Sequence, residues 1–413
     1  MGSSVDVEED GNPAANDGVS GDSGDDGVEF ASSIVAASNF DNLAAVRVSS
    51  SQAGMLDAWI DFNRDGDWLD TGEQIFASQQ LQPGSNRLAF SVPAGASAGE
   101  TYARFRVSSG GGLSPTGAAI DGEVEDHRAM ILDGDAVDGV IAGFQLDAAD
   151  TITVDSDSAD VVIKDQERDL FRAPMSSLSE LRLTGSTEDD RIMLALPDLL
   201  HSGLLQVDAG NGEDQLVLDG GDRVLDLTNI DDNAIRGIEI IDVRGSGSNQ
   251  LTFRSADLAS LQASAESLVV LADPDDHLDS GAERFAFDGS QVVDGQLQIT
   301  AKHNGVELHV RGAGWTNPFN RLDVNGSGFV SPLDALLILN ALGSGQYIVD
   351  DQVTLRPPES VEPFPLKFYD VLGDGNILPL GALRILNHLQ REAIDAEAPA
   401  AAPVGLSSAR PGR

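Results

Sequence analysis

The chain of 413 residues contains no cysteine, which excludes disulfides, thiolate metal sites and cysteine nucleophiles. Basic residues are scarce: 25 Lys and Arg stand against 68 Asp and Glu, a formal net charge of -43. Such a surface repels phosphate backbones and anionic lipid, so no nucleic-acid or membrane-surface role is expected; it attracts cations instead. No apolar run reaches the length of a membrane span. Aromatics are only 5% of the chain, with 3 Trp and 3 Tyr, a poor supply for a cleft that stacks sugars. The histidines (His127, His201, His277, His303, His309 and His388) are scattered, with no HExxH pair. GxSxG and GxxxxGK motifs are missing too, so no catalytic site is expected. Met1 to Asp10 has neither a basic nor an apolar region and does not read as a signal peptide.

The length predicts several domains, and 44 glycines favour short strands and tight turns. The expected architecture is mainly β and multidomain. Residues 1–27 read as a disordered acidic lead-in. Residues 28–132 carry period-two runs, among them Leu56–Ile60, Arg87–Val92 and Thr101–Val107, which predict an antiparallel β-sandwich. In 133–314 a strand–turn–strand unit recurs with an Asp or Asn in the turn (Asp160, Asp190, Asp214, Asn249, Asp276), 30, 24, 35 and 27 residues apart. That is the mark of a β-solenoid spacer with loop insertions, an irregular sandwich being the alternative. Gln296 to Arg311 reads as a hairpin around Asn304-Gly305. Residues 315–392 turn helical, around Ala335–Leu342 and Ala382–Leu389, and 393–413 read as a disordered tail.

The sharpest signal is a duplication at an offset of 47 residues, pairing Asp323 with Asp370, Pro332 with Pro379 and Asn340 with Asn387. Asp323 to Asp334 fits a twelve-residue calcium loop. Asp323, Asn325 and Ser327 fall at positions 1, 3 and 5, and Gly328 makes the turn at 6. Phe329 supplies a carbonyl at 7, with Ser331 at 9 and Asp334 at 12. Every second side chain of such a loop points inward, and Ca2+ takes six to eight oxygens. Ser331, Pro332 and Asp334 also suit the N-cap, N1 and N3 places of a helix. The second copy keeps Asp370, Asp374 and Gly375 but has Leu372, Leu378 and Gly381 at positions 3, 9 and 12, so weak calcium binding or none is expected there. The alternative is a helical hairpin whose Asp loops are mere turns. The pair resembles type I dockerin modules, which carry two such repeats and dock onto cohesin modules. The resemblance covers about 318–391. It departs from many cellulosomal dockerins in having Pro332 and Leu333 where small hydroxyl residues face the cohesin.

A similar frame opens Asp61 to Glu73: Asp61, Asn63, Asp65 and Gly66 hold places 1, 3, 5 and 6, and Asp67, Asp70 and Glu73 are further oxygens. It follows a strand, so it reads as an inter-strand calcium loop, a plain hairpin turn being the alternative. With Thr101–Val107 and Gly122-Glu-Val-Glu-Asp126 it resembles the GEVED domain of large bacterial extracellular proteins, which implies a β-rich extracellular module and no reaction. Glu123, Glu125 and Asp126 are open to two readings, ion ligands or a solvated strand edge. Asp208 to Leu218 resembles one RTX nonapeptide, with Asp208, Asn211 and Asp214 as a single candidate site.

Together these features predict a non-catalytic, calcium-binding, extracellular or cell-surface protein. It would attach to or assemble complexes through its C-terminal module, with a cohesin-like or other surface protein as partner and extracellular polysaccharide as a second candidate. The alternative function is an accessory or scaffold-attached part of a glycoside hydrolase system. An intracellular acidic protein is a third reading.

Overall fold

A computed structural model of the chain describes residues 27–261, 267–349 and 353–397. The expected acidic lead-in, except Gly27, and the tail beyond Glu397 lie outside the described residues. The structure is multidomain and mainly β, and it divides into two compact units. The first runs to Leu271 and takes in Leu278–Glu283 and Asn304–His309; the second comprises Ala272–His277, Arg284–His303 and the chain from Val310.

The first unit opens with two facing sheets. One joins Val28–Phe30, Asn42–Ser50 and Gly84–Val92, all antiparallel. The other runs Ile34–Ala36, Glu123–Asp133, Gly99–Ser108, Gly54–Ile60, Gln74–Leu81, antiparallel except for its first pair. Alternation along these strands turns Val46, Val48, Leu56, Phe90, Phe105 and Ile131 into one buried core. Phe30, Phe76, Phe90 and Phe105 meet edge to face there, with centroids 6.3–6.5 Å apart.

A parallel β-solenoid follows. Val140–Gln145, Leu178–Thr184, Leu205–Asp208 and Ile235–Arg236 form one wall. Thr151–Asp157, Arg191–Leu194, Gln215–Leu218, Ile240–Asp242 and Leu268–Leu271 form the second. Val224–Asp226 and Gln250–Thr252 belong to a third. Ile192, Leu216, Ile241 and Val270 stack inward with no exposure. An antiparallel excursion, Asp160–Asp165 and Arg168–Pro174, joins the solenoid to the sandwich, pairing Arg172 with Leu43. Arg87 bridges Asp147 and Asp150 across the same junction.

The rung repeat differs from the expected spacing. Arg191, Gln215, Ile240 and Val269 are successive partners, so the steps are 24, 25 and 29 residues. Asp190 and Asp214 share one corner, Asn249 and Asp276 lie at a later corner of their rungs, and Asp160 sits at a hairpin. Turn aspartates look alike in sequence whichever corner they occupy; only strand register sorts them.

At the first corner the acids form a column. Asp190 accepts the Asp150 N–H at 2.7 Å, Asp214 that of Asp190 at 2.7 Å, and Glu239 that of Asp214 at 2.9 Å. Each carboxylate thus ties its rung to the one before. Asp214 is fully buried and its Oδ2 has no hydrogen-bond donor. Burial, with the charges of Asp190, Glu239 and Asp189, pushes its pKa up to about 6.

The second unit packs the antiparallel pair Ala286–Val293 and Gln296–His303 into one core with two helices, Pro332–Ser344 and Pro379–Glu397. Ile338 and Ala341 of the first helix and Ala382 and Ile385 of the second share that core with Trp315. The second helix continues past residue 392, through Ala393 and Ala396, good helix formers.

Candidate metal centres

Three Asp-led loops share one local geometry. Asp61 accepts the N–H groups of Arg64, Asp65 and Gly66 at 2.5, 3.2 and 3.1 Å. Asp370 accepts those of Gly373, Asp374 and Gly375 at 2.8, 3.2 and 2.7 Å. Asp323 accepts those of Ser327 and Gly328 at 3.0 and 2.6 Å. A short carboxylate followed by a chain that curls back offers its oxygens to donors that would otherwise be orphaned. Gly66, Gly328 and Gly375 have φ of +94°, +82° and +77°, the left-handed region that a side chain would strain. All three aspartates are buried.

The loops part at their closing ends. In the first C-terminal repeat, Asp334 is fully buried and accepts the Asn325 N–H at 3.1 Å and the Ser331 N–H at 2.8 Å. It therefore caps the helix and faces the loop at once. Ser331 turns its hydroxyl to Asp334 at 2.9 Å. The Ser327 hydroxyl lies 3.1 Å from the Phe329 carbonyl oxygen and 3.4 Å from Asp323 Oδ1, gathering the oxygens of positions 1, 5 and 7. Burial pushes the Asp323 carboxyl above the ordinary range, and the Asp334 charge adds to this. Two buried carboxylates bearing on each other, amid hydroxyl and carbonyl oxygens, fit a hard divalent cation. The nearby Lys367 ammonium goes to the Asn325 carbonyl, at 3.3 Å.

In the second repeat the corresponding position is Gly381. A Cβ there would meet Ile338 Cδ1 at 3.2 Å and Val371 Cβ at 3.3 Å, so apolar packing stands where the first repeat keeps a carboxylate. Residues 353–355 pair with the loop instead, through Leu355 N–H to Gly375 O at 3.0 Å and Ile377 N–H to Val353 O at 2.8 Å. Asp374 is exposed and accepts the N–H of Asn376. Burial raises the Asp370 carboxyl as well, against three backbone donors that hold it down.

In the sandwich the loop closes on Glu73. This side chain is 2% exposed; Oε2 accepts the Asp70 N–H at 3.1 Å, and Oε1 has no donor. Burial raises the Glu73 carboxyl, against the backbone N–H groups of Asp70 and Asn63 that hold it down, and the charges of Asp61 and Asp70 add to the rise. Carboxylate oxygens of Asp65, Asp67 and Asp70 lie within 4.8 Å of one another. The Asn63 amide donates to Asp65 at 3.2 Å and to Asp70 at 2.6 Å, standing between two acids as a cation would. The guanidinium of Arg64 goes to the carbonyls of Ala98 and Glu100, at 2.7 and 3.0 Å, and leaves these acids un-neutralised. An orphaned buried oxygen beside crowded carboxylates fits a bound cation.

In the Gly122–Asp126 motif Glu123 and Glu125 are buried, so it is not a solvated strand edge. Asp126 holds Arg104, while Glu125 is buried, with the His127 ring at 3.1 Å. Gly122 has φ +109°, and a Cβ there would fall 1.7 Å from the Val107 carbonyl oxygen, so only glycine fits. The pairing of Arg104 with Trp68 is not legible in the sequence: Arg104 alternates with the core residues Ala103 and Phe105 and so lies on the other face of its sheet, yet it is buried there. In the solenoid, Asp208 and Asn211 are exposed, whereas Asp214 is buried in the column.

Comparison with known proteins finds the family model of the GEVED domain at residues 55–129 and that of the type I dockerin domain at residues 321–390. Both are non-catalytic module types, and type I dockerin domains bind calcium and cohesin partners. No curated protein matches the chain. A solved family 123 glycoside hydrolase from Clostridium perfringens, described for glycolipid glycan hydrolysis, is 12% identical, covering 28% of this chain and 26% of its own. Its TM-score is 0.16, and the chain spans about a quarter of its length. No helix among the described residues is long and apolar enough to cross a membrane.

Proposed function

We propose that this chain is a non-catalytic, extracellular or cell-surface calcium-binding protein that joins a secreted or surface complex through its C-terminal repeat pair. A cohesin-like or other surface protein is the partner this reading implies. The observation that carries it is the pair Asp323 and Asp334: two buried carboxylates at the ends of one twelve-residue loop, inside the segment that matches a dockerin domain. Calcium there would offset their mutual repulsion and tie the loop to the helix that Asp334 caps, with Asn325, Ser327, the Phe329 carbonyl and Ser331 as further oxygens. Asp61, Asn63, Asp65, Asp67 and Glu73 form a second site on the sandwich. Asp370 and Asp374 hold calcium weakly or not at all. The solenoid serves as a spacer, bounded on its N-terminal side near residue 132.

The test is a calcium titration of the full chain by calorimetry, followed by melting with and without chelator. A ligand that binds only the native state raises the melting temperature by mass action. Heat of binding and a higher melt support the reading; neither heat nor shift would sink it. Calcium-dependent capture of a cohesin on a sensor surface, lost in Asp323→Ala, tests the docking half.

A further inference from the structure

We propose that Asp126, in the motif Gly122–Asp126, is a positioning residue for the acidic loop Asp61–Glu73, acting through Arg104 and Trp68. The inference rests on the calcium reading of that loop. Arg104 stands directly opposite Asp126 in the antiparallel pair of Gly99–Ser108 and Glu123–Asp133. Its guanidinium grips both carboxylate oxygens, Nε to Oδ1 at 2.7 Å and the second prong to Oδ2. Arg104 is 1% exposed, and its guanidinium carbon lies 4.6 Å from the centroid of the Trp68 ring. A planar cation held in one plane by a two-pronged carboxylate makes a fixed floor for an indole.

Trp68 is the middle of the loop. Asp65 and Asp67 precede it, Asp70 and Glu73 follow, and it is itself buried. Its Nε1 donates to the Tyr102 carbonyl at 3.3 Å, and the same carbonyl accepts the Asp61 N–H at 3.1 Å. The loop's first ligand and its central anchor therefore hang on one atom of the strand that also carries Arg104. Like charges crowded into an exposed loop push it open. An anchor beneath the loop keeps the oxygens converged before an ion arrives, which raises affinity by preorganisation without adding a ligand. This gives the motif's acid a task that its distance from the loop in sequence conceals.

The experiment uses the full chain carrying Asp323→Ala, so that the C-terminal loop is silent. Calcium affinity is read by calorimetric titration, a measurement that does not depend on Trp68 as a reporter. Asp126→Asn and Trp68→Phe should each weaken calcium binding by about tenfold, the usual cost of removing a group that orients ligands. The double variant should lose no more than the larger single loss, since both act through Arg104. Asp126→Glu should recover part of the affinity. A merely structural Asp126 would lower the melting temperature in chelator and leave the affinity of the folded chain alone. Unchanged affinity in folded Asp126→Asn, or two losses that add in full, overturns the proposal. If Asp126→Asn fails to fold, Arg104→Lys and Trp68→Phe decide, and unchanged affinity in both overturns it. If the parent chain takes up no calcium at this loop, the calcium reading itself falls; unchanged variants sink only the positioning role.

Discussion

The two C-terminal repeats begin alike and end differently. Asp323 and Asp370 are equally buried and both collect backbone donors from the turn that follows. Position 12 then separates them: Asp334 brings a buried carboxylate back to the first loop, whereas Gly381 lets Ile338 and Val371 close over the second. The lesson is that an Asp-led turn is a stable piece of backbone without metal, because its N–H groups satisfy the first carboxylate. What would make it an ion site is a second charge that the fold leaves uncompensated. By that criterion the sandwich loop, closing on Glu73 with its orphan oxygen, belongs with the first repeat.

The most direct way to break the comparison is to give the second loop its missing acid. Gly381→Asp would place a carboxylate against Ile338 and Val371, and should destabilise the second unit by about 3 kcal/mol or more, the range for burying an unpaired charge. Calorimetric melting in calcium would show it; a gain in calcium affinity without loss of stability would mean that the two loops are equivalent after all. Asp214, outside both loops, sharpens the point about uncompensated charge. Its folded pKa of about 6 lies above the unfolded value, so its contribution to stability is present at low pH and lost as pH rises through 6. The difference is at most about 3 kcal/mol. Asp214→Asn should flatten the stability of the first unit between pH 4 and 7.5 relative to the parent, followed by amide exchange of the solenoid rungs. A parallel pH profile in the variant would contradict the raised pKa.

Asp323→Ala should abolish the calcium-induced stabilisation of the second unit, worth about 2.7 kcal/mol at calcium a hundredfold above Kd. Melting with and without chelator measures this, and a retained shift would move the site elsewhere. Asp374→Ala is the smallest effect: this exposed side chain should change stability by under about 0.5 kcal/mol and leave calcium affinity intact. A reversed pattern between these last two would exchange the roles assigned to the repeats.

Much of the C-terminal unit was legible because its signals are short-range. The 47-residue offset, the Pro332 and Pro379 helix starts and the sixth-position glycines each depend on a dozen neighbouring residues. The expected strands Leu56–Ile60, Arg87–Val92 and Thr101–Val107 lie within observed ones for the same reason. The solenoid was legible as a repeat but not in its register, since turn acids from different corners fell into one series.

By itself, then, the sequence determined the loop frames, the helix caps, the strand periods and a charge balance that favours cations. All of these follow from side chains acting on backbone a few residues away. Tertiary structure alone decided which acids stand uncompensated. Glu73 became an orphan by being buried beside Asp61, and Asp214 by stacking between Asp190 and Glu239. Gly381 became part of a core through its contact with Ile338. Asp126 reached the acidic loop only through Arg104 and Trp68. Desolvation and pairing depend on neighbours brought together from distant parts of the chain, and a linear pattern carries no record of them.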